Sequence, residues 1–126
     1  MKKFLFLSLV ALAMIAVTGF QFAPKPEAAA FKIAKKTNAI IQSKCYGCHS
    51  AEGKSDKAKE KLMWDDLAGL SAEAQLEKMK NIQKVLQEGT MPPAKFLERM
   101  PDKKLTDLEK AAMQKWADKT VAKLSK

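Results

Sequence analysis

The most reactive side chains of this sequence lie together in one short segment, KCYGCHS, at positions 44–50. The segment contains both cysteines, Cys45 and Cys48, as well as the single tyrosine, Tyr46, and the single histidine, His49. Thiols and an imidazole can bind a metal, exchange electrons through a disulfide, or bond covalently to a cofactor. The spacing of these side chains indicates which of the three chemistries applies.

Cys45-Tyr46-Gly47-Cys48-His49 matches the C-x-x-C-H pattern of covalent c-type haem attachment. Thiols three positions apart lie on one side of a helical turn, where each can form a thioether with one haem vinyl group. The imidazole of the next residue can then reach the iron. Gly47 has no Cβ, and we expect it to relieve crowding at the porphyrin edge. The motif predicts one covalently attached haem c.

Three other uses of the same residues are possible. A Cys45–Cys48 disulfide would close so small a loop that it would constrain the unfolded chain little. A thioredoxin-like redox pair needs a strand followed by a helix, and the sequence has no alternating strand pattern. A zinc site needs a fourth ligand, whereas the chain has no further Cys or His.

A second axial ligand must come from elsewhere, as methionine, lysine or water, unless the position stays open. Met91 lies in TMPPAKF, between a helix stop expected at Gly89 and two prolines that restrict the loop. Met100 also precedes a proline and is the second candidate. Three other methionines occupy apolar helical positions typical of a core: Met63, Met79 and Met113.

Helical periodicity surrounds the motif. Apolar positions within 33–41 recur every three or four residues and predict a helix that ends at the cysteines. Polar residues 49–61 predict a loop, and KLMWDDLAGL at 61–70 predicts a short helix. Ser71 and Gly89 are typical of the cap and the stop of a further helix.

The last helix is predicted to begin at TDLE, residues 106–109, which fits a capping box. Leu108, Ala112, Trp116 and Thr120 would lie on one side of it. Trp64 and Trp116 are candidates for lining a haem pocket, although core packing is the usual role of tryptophan. No internal repeat or βαβ unit occurs, so the sequence predicts an all-α fold.

The sequence resembles the small monohaem c-type cytochromes and the bacterial haem-binding domains that share the motif. The resemblance covers about residues 38–120 and rests on CYGCH, EGTMPPAKF and LTDLEKAAMQKWA. It implies that Cys45 and Cys48 attach the haem, and that the proximal and distal iron ligands are His49 and Met91. It also implies a cytochrome c-like bundle of about four to five helices wrapped around one haem.

The N-terminal thirty residues have a different character. Lys2 and Lys3 precede an apolar run from Phe4 to Phe20, which is typical of a signal peptide. As a helix this run would span roughly 25 Å, slightly short of a bilayer core. We expect residues 1–30 to be a signal peptide or an N-terminal anchor with a short tether. The haem-binding domain would then be residues 31–126, periplasmic or otherwise exported.

The chain carries a net charge of +9, and residues 1–30 contribute three lysines and one glutamate, which leaves +7 for residues 31–126. Such an excess favours acidic protein partners, although a solvated lysine-rich surface would look the same. Lysines are not interleaved with aromatic residues, so nucleic acid is not an expected partner. A membrane is expected only through an uncleaved N-terminal helix.

Single-electron transfer between redox partner proteins is the function that these features favour. No acid, base or nucleophile constellation suggests a catalytic residue, so we expect a carrier rather than an enzyme. The alternative is a haem-based small-ligand sensor or a peroxidase-like enzyme in which Met91 is displaceable.

Overall fold

The computed structural model describes residues 31–126, so the predicted signal peptide or anchor at 1–30 lies outside the described residues. Every regular element within 31–126 is a helix, which confirms the predicted all-α class. The elements in chain order are α1 (Lys35–Lys44), α2 (Tyr46–His49), α3 (Asp56–Lys61), α4 (Trp64–Leu67), α5 (Ala72–Glu88), α6 (Ala94–Leu97), a 3-10 helix (Pro101–Lys103) and α7 (Asp107–Leu124).

Three of these helices, α1, α5 and α7, form the framework, and the others are short helices of one or two turns. Helix α7 packs along α5 and also contacts α1. The buried apolar side chains come almost entirely from these three helices: Ile40, Ile41, Leu67, Met79, Ile82, Leu86, Met113, Trp116 and Ala117. Within residues 31–126 no helix is both long and apolar enough to cross a membrane.

The helix ends follow the predicted caps. The Ser71 hydroxyl accepts a hydrogen bond from the Ala74 N–H at 3.3 Å, and Gly89 ends α5 with φ 66°, in the left-handed region that glycine adopts without strain. The capping box of α7 is complete. Thr106 Oγ1 accepts from the Glu109 N–H at 3.2 Å, and Glu109 Oε2 accepts from the Thr106 N–H at 2.8 Å.

The prediction of a loop over residues 49–61 was wrong in its second half, where α3 forms. Ser55 caps this helix by accepting from the Ala58 N–H at 3.3 Å. Asp56 lies in its first turn and Lys59 in its last turn, and these charges complement the helix dipole. Apolar periodicity could not reveal α3, because a short polar helix buries no side chain of its own.

Leu108 was predicted to lie on the packing side of the last helix, but it is 81% exposed. The buried side of α7 consists of Met113, Trp116 and Ala117. Leu108 lies in the first turn, more than one turn before these positions. The predicted packing side of the last helix is therefore correct for Trp116 and wrong for Leu108.

Candidate functional site

A cavity of about 540 Å³ lies beside the C-x-x-C-H segment. Its wall includes Cys45, Cys48, His49 and Met91, the four residues that the sequence nominated for binding a cofactor. Met100 does not belong to this wall, and it is 41% exposed. The cavity falls within the range of about 300–1,000 Å³ that cofactor sites occupy.

The rest of the wall is mostly apolar, with a few polar groups. Its apolar members are Leu62, Trp64, Ile82, Val85, Leu86, Pro92, Pro93, Phe96, Leu105 and Met113. Four lysines, Lys44, Lys61, Lys78 and Lys84, also border the cavity. This combination suits a large apolar ring system that carries negative groups, because apolar walls bury the ring and cations attract its anionic substituents.

Only one of the two tryptophans lines the cavity. Trp64 forms part of the wall, whereas Trp116 lies in the core, with the two ring centroids 6.0 Å apart. Phe31 packs edge-on against Trp116, at a centroid distance of 5.9 Å. Trp116 therefore supports the pocket from behind.

His49 is oriented by two backbone carbonyl groups. Its Nδ1 atom lies 3.0 Å from the carbonyl oxygen of Ala58 and 2.9 Å from that of Leu62. Both partners only accept hydrogen bonds, so Nδ1 must carry the proton. Nε2 of the neutral ring is then left with a free lone pair, which is the arrangement found at histidine metal ligands.

Both cysteines are free, half-buried thiols. Burial, and to a lesser extent the nearby Cys48 and Glu109, raise the pKa of Cys45 to about 11. Cys45 is therefore a neutral thiol near pH 7, which makes it a poor nucleophile for disulfide exchange. No three His, Cys, Asp or Glu side chains of residues 31–126 converge as a metal site.

Asp65 braces the motif from α4, and sequence reasoning missed it. One carboxylate oxygen accepts from the Tyr46 hydroxyl, and the other accepts from the Ala51 N–H at 2.8 Å. The bond to Asp65 raises the pKa of Tyr46, while the bonds from Tyr46 and then Ala51 lower the pKa of Asp65. The Asp65 side chain thus links Tyr46, which precedes Cys48 and His49, to Ala51, which follows them.

Gly53 is the second residue that sequence reasoning missed. It is buried, and a Cβ atom there would lie 2.5 Å from the carbonyl oxygen of Cys48 and 2.8 Å from that of Ser50. By contrast, a Cβ atom on Gly47 would meet no atom of the described chain within 4 Å. Packing of the polypeptide therefore requires glycine at 53, and the proposed role of Gly47 beside a porphyrin stays a prediction.

Comparison with known proteins gives one match. Residues 53–119, more than half of the chain, match the family model described as haem-binding domain. No match was found to a curated protein or to a solved structure. The matched region includes Ala58 and Leu62, whose carbonyl groups orient His49, as well as α5 and Met113 of α7, which border the cavity.

The residues around the cavity fit haem on the chemistry of their donors. They offer two thiols, an imidazole with a free Nε2, a thioether and apolar walls. The chain belongs to the haem-binding domain family.

Proposed function

We propose that this protein is an exported monohaem c-type cytochrome that transfers single electrons between redox partner proteins. The observation that carries the proposal is the convergence of Cys45, Cys48, His49 and Met91 on one cavity. Bound haem supplies an iron that alternates between the ferric and ferrous states. The protein's task is to hold that iron and to limit what reaches it.

Each of the four residues has a separate task in this proposal. The thiols of Cys45 and Cys48 each add across one haem vinyl group, which places covalent bonds on the segment that Asp65 braces. His49 presents Nε2 to the iron because its Nδ1 proton is engaged by the two carbonyl groups. Met91 supplies a thioether, a ligand that stabilises ferrous iron and raises the potential.

Electrostatics supports acidic redox partners. Four lysines border the cavity, and residues 31–126 carry a net charge of +7. Complementary charge accelerates encounter with an acidic surface more than it tightens the complex. Export, by a signal peptide or an N-terminal anchor within residues 1–30, would place the domain in the periplasm or an equivalent compartment.

A visible spectrum of the protein matured in a periplasm tests the proposal. We expect the spectrum of a low-spin c-type haem, with a sulfur-to-iron band at the red edge of the ferric form. Acidified organic solvent should leave the haem on the wild type and extract it from a Cys45→Ser, Cys48→Ser double variant. Haem that stays covalently bound in the double variant would rule out attachment through these thiols.

A haem-based small-ligand sensor or peroxidase-like enzyme is the second candidate. It is favoured by the position of Met91 between α5 and α6, in a segment whose short helices contact mainly each other rather than the framework. Carbon monoxide separates the two functions: a carrier with a closed iron should bind it slowly without denaturant. A sensor should bind it readily at neutral pH.

A further inference from the structure

Residues 90–105, here called the strap, connect α5 to α7 and carry Met91 near their start. The two short helices of the strap, α6 and the 3-10 helix, pack mainly against each other and little against the rest of the bundle. Met91, Pro92, Pro93 and Phe96 of the strap nevertheless border the cavity. Contacts that hold the strap in place therefore also decide where the Met91 thioether lies.

Two lysines link the strap to the end of α1, one donating from α1 to the strap and the other from the strap to α1. The Lys44 ammonium donates to the Asp102 carbonyl oxygen at 2.5 Å, and the Lys103 ammonium donates to the Ser43 carbonyl oxygen at 3.0 Å. We call this reciprocal pair the clasp. It joins two adjacent residues of the strap to the two residues that immediately precede Cys45.

The surroundings of the clasp strengthen both bonds. The Lys44 side chain is only 15% exposed and also lies 3.9 Å from the Glu109 carboxylate, at the start of α7. The Ser43 carbonyl belongs to the last turn of α1, where carbonyl groups lack a helical partner and the helix dipole favours a cation. Hydrogen bonds from a charged donor are stronger than neutral ones. The clasp is thus a polar link between α1 and the strap, and the helices of the strap otherwise contact α1 little.

We propose that Lys44 and Lys103 are positioning residues for the distal ligand: the clasp holds the strap against the cavity and so keeps the Met91 thioether at the iron. This inference rests on the proposed function, in which Met91 is the sixth ligand. Opening of the clasp releases the strap and frees that coordination position for a small external ligand. The clasp therefore determines whether the protein behaves as a closed carrier or as a ligand-binding protein.

The test compares Lys44→Gln and Lys103→Gln with Lys104→Gln in the haem-loaded protein. Lys104 is the matched control, because it is an exposed lysine of the same strap, directly after Lys103. We measure carbon monoxide binding to the ferrous form, the sulfur-to-iron band, and hydrogen exchange of the Phe96 and Met100 amides. Each clasp variant should accelerate carbon monoxide binding by roughly tenfold, weaken the band and speed the exchange of both amides. Lys104→Gln should stay within about twofold of the wild type.

Haem content and the thermal midpoint are measured on the same samples, so that misfolding is recognised. Lys103→Gln is the decisive variant, since it lies far in sequence from the attachment segment. Wild-type carbon monoxide binding and wild-type amide exchange in both clasp variants would overturn the inference, even if the thermal midpoint fell. If the wild type itself lacks the sulfur-to-iron band, ligation by Met91 fails instead, and amide exchange alone then decides whether the clasp holds the strap.

Discussion

At the scale of single residues, the chain supplies few side chains that could bind a haem iron. His49 is the one imidazole in the sequence, and backbone carbonyls rather than side chains fix its tautomer. No side-chain substitution can remove those acceptors directly, because they are part of α3 and of the residue that follows it. In the proposed function, the backbone therefore orients the ligand His49, whereas the ligand Met91 depends on the position of the strap, residues 90–105.

Substitution of Met91 by Ala tests the distal side. Met91 borders the cavity and Met100 does not, although both precede a proline. We expect Met91→Ala to abolish the sulfur-to-iron band, lower the reduction potential and open the iron to carbon monoxide, because a thioether stabilises ferrous iron. Potentiometry and the ferric spectrum measure these changes. Met100→Ala is the control, and the reverse pattern would transfer the role to Met100.

Gly53→Ala should destabilise the protein through its contact with the attachment segment. The added methyl group would lie 2.5 Å from the Cys48 carbonyl oxygen, so the turn after His49 must shift. Overpacking of this kind costs about 1–3 kcal/mol, and we expect a loss of that order in chemical denaturation of the haem-loaded protein. Gly69→Ala is the control, because its Cβ would lie at an ordinary 3.5 Å from the Asp66 carbonyl oxygen. Equal stability of the two variants would contradict the packing argument.

At the scale of elements, the helix caps could be predicted from the sequence, whereas the long-range hydrogen bonds between elements could not. Ser71, Gly89 and the Thr106 capping box mark helix ends through residues at most a few positions away, so the sequence alone located α5 and the start of α7. The Tyr46–Asp65 bond joins residues nineteen positions apart, and its formation depends on how the intervening turn and α3 fold. Long-range partners of this kind leave no periodic signal.

Buried polar residues show the same limit. Gln75 is fully buried in α5, and its amide donates to the carbonyl oxygens of Leu67 and Ala68, each at 3.1 Å. The sequence would predict an exposed side chain for a glutamine at this position. In the structure its hydrogen bonds join the end of α4 to α5. The framework could be predicted because apolar periodicity records burial, whereas hydrogen bonds between elements do not follow any period.

The capping box of α7 should make stability depend on acid pH. The Thr106 N–H is the main cause that lowers the pKa of Glu109, and the Thr106 hydroxyl and Lys44 act in the same direction. A carboxyl whose pKa is lower in the folded state stabilises that state above its ordinary pKa of about 4.3 and loses this effect as the pH falls through the folded value.

We therefore expect Glu109→Gln to be less stable than the wild type at neutral pH, by roughly 1 kcal/mol or less for a partly lost cap. The difference should shrink as the pH falls below about 4, where the wild-type carboxyl is protonated. Urea denaturation of the haem-loaded protein over a pH series measures it. Glu77→Gln, at an exposed position within α5, serves as the control. A difference that does not vary with pH would mean that the charge of Glu109 contributes nothing to the cap.

At the scale of the whole molecule, the cavity, the lysines that border it and the C-x-x-C-H segment lie together, and in the proposed function they decide how the protein meets its redox partners. The apolar residues that border the cavity come mainly from α5 and the strap, and the lysines that border it come from α1, α3 and α5. Among residues 31–126, Glu88 is the one acidic residue that borders the same cavity, so the border carries a net positive charge, and in the proposed function electrons pass through this opening. A carrier built this way should distinguish reaction partners by the sign of their charge.

This expectation can be measured with two small oxidants of opposite charge, hexacyanoferrate(III) and a tris(phenanthroline)cobalt(III) complex. Oxidation of the ferrous protein by the anion should slow as salt rises past about 0.1 M, where the Debye length is roughly 10 Å, and oxidation by the cation should accelerate. Lys84→Gln removes a charge that borders the cavity and should slow the anionic reaction about two- to fivefold at low salt. Lys119→Gln removes an exposed charge of α7 that is not part of the cavity wall, and it should have a smaller effect. Stopped-flow kinetics over a salt series distinguishes an effect of the charges at the cavity from an effect of the net charge. Equal salt dependence of the oxidation rate in the two variants would show that the lysines at the cavity only solvate the surface and do not select the partner.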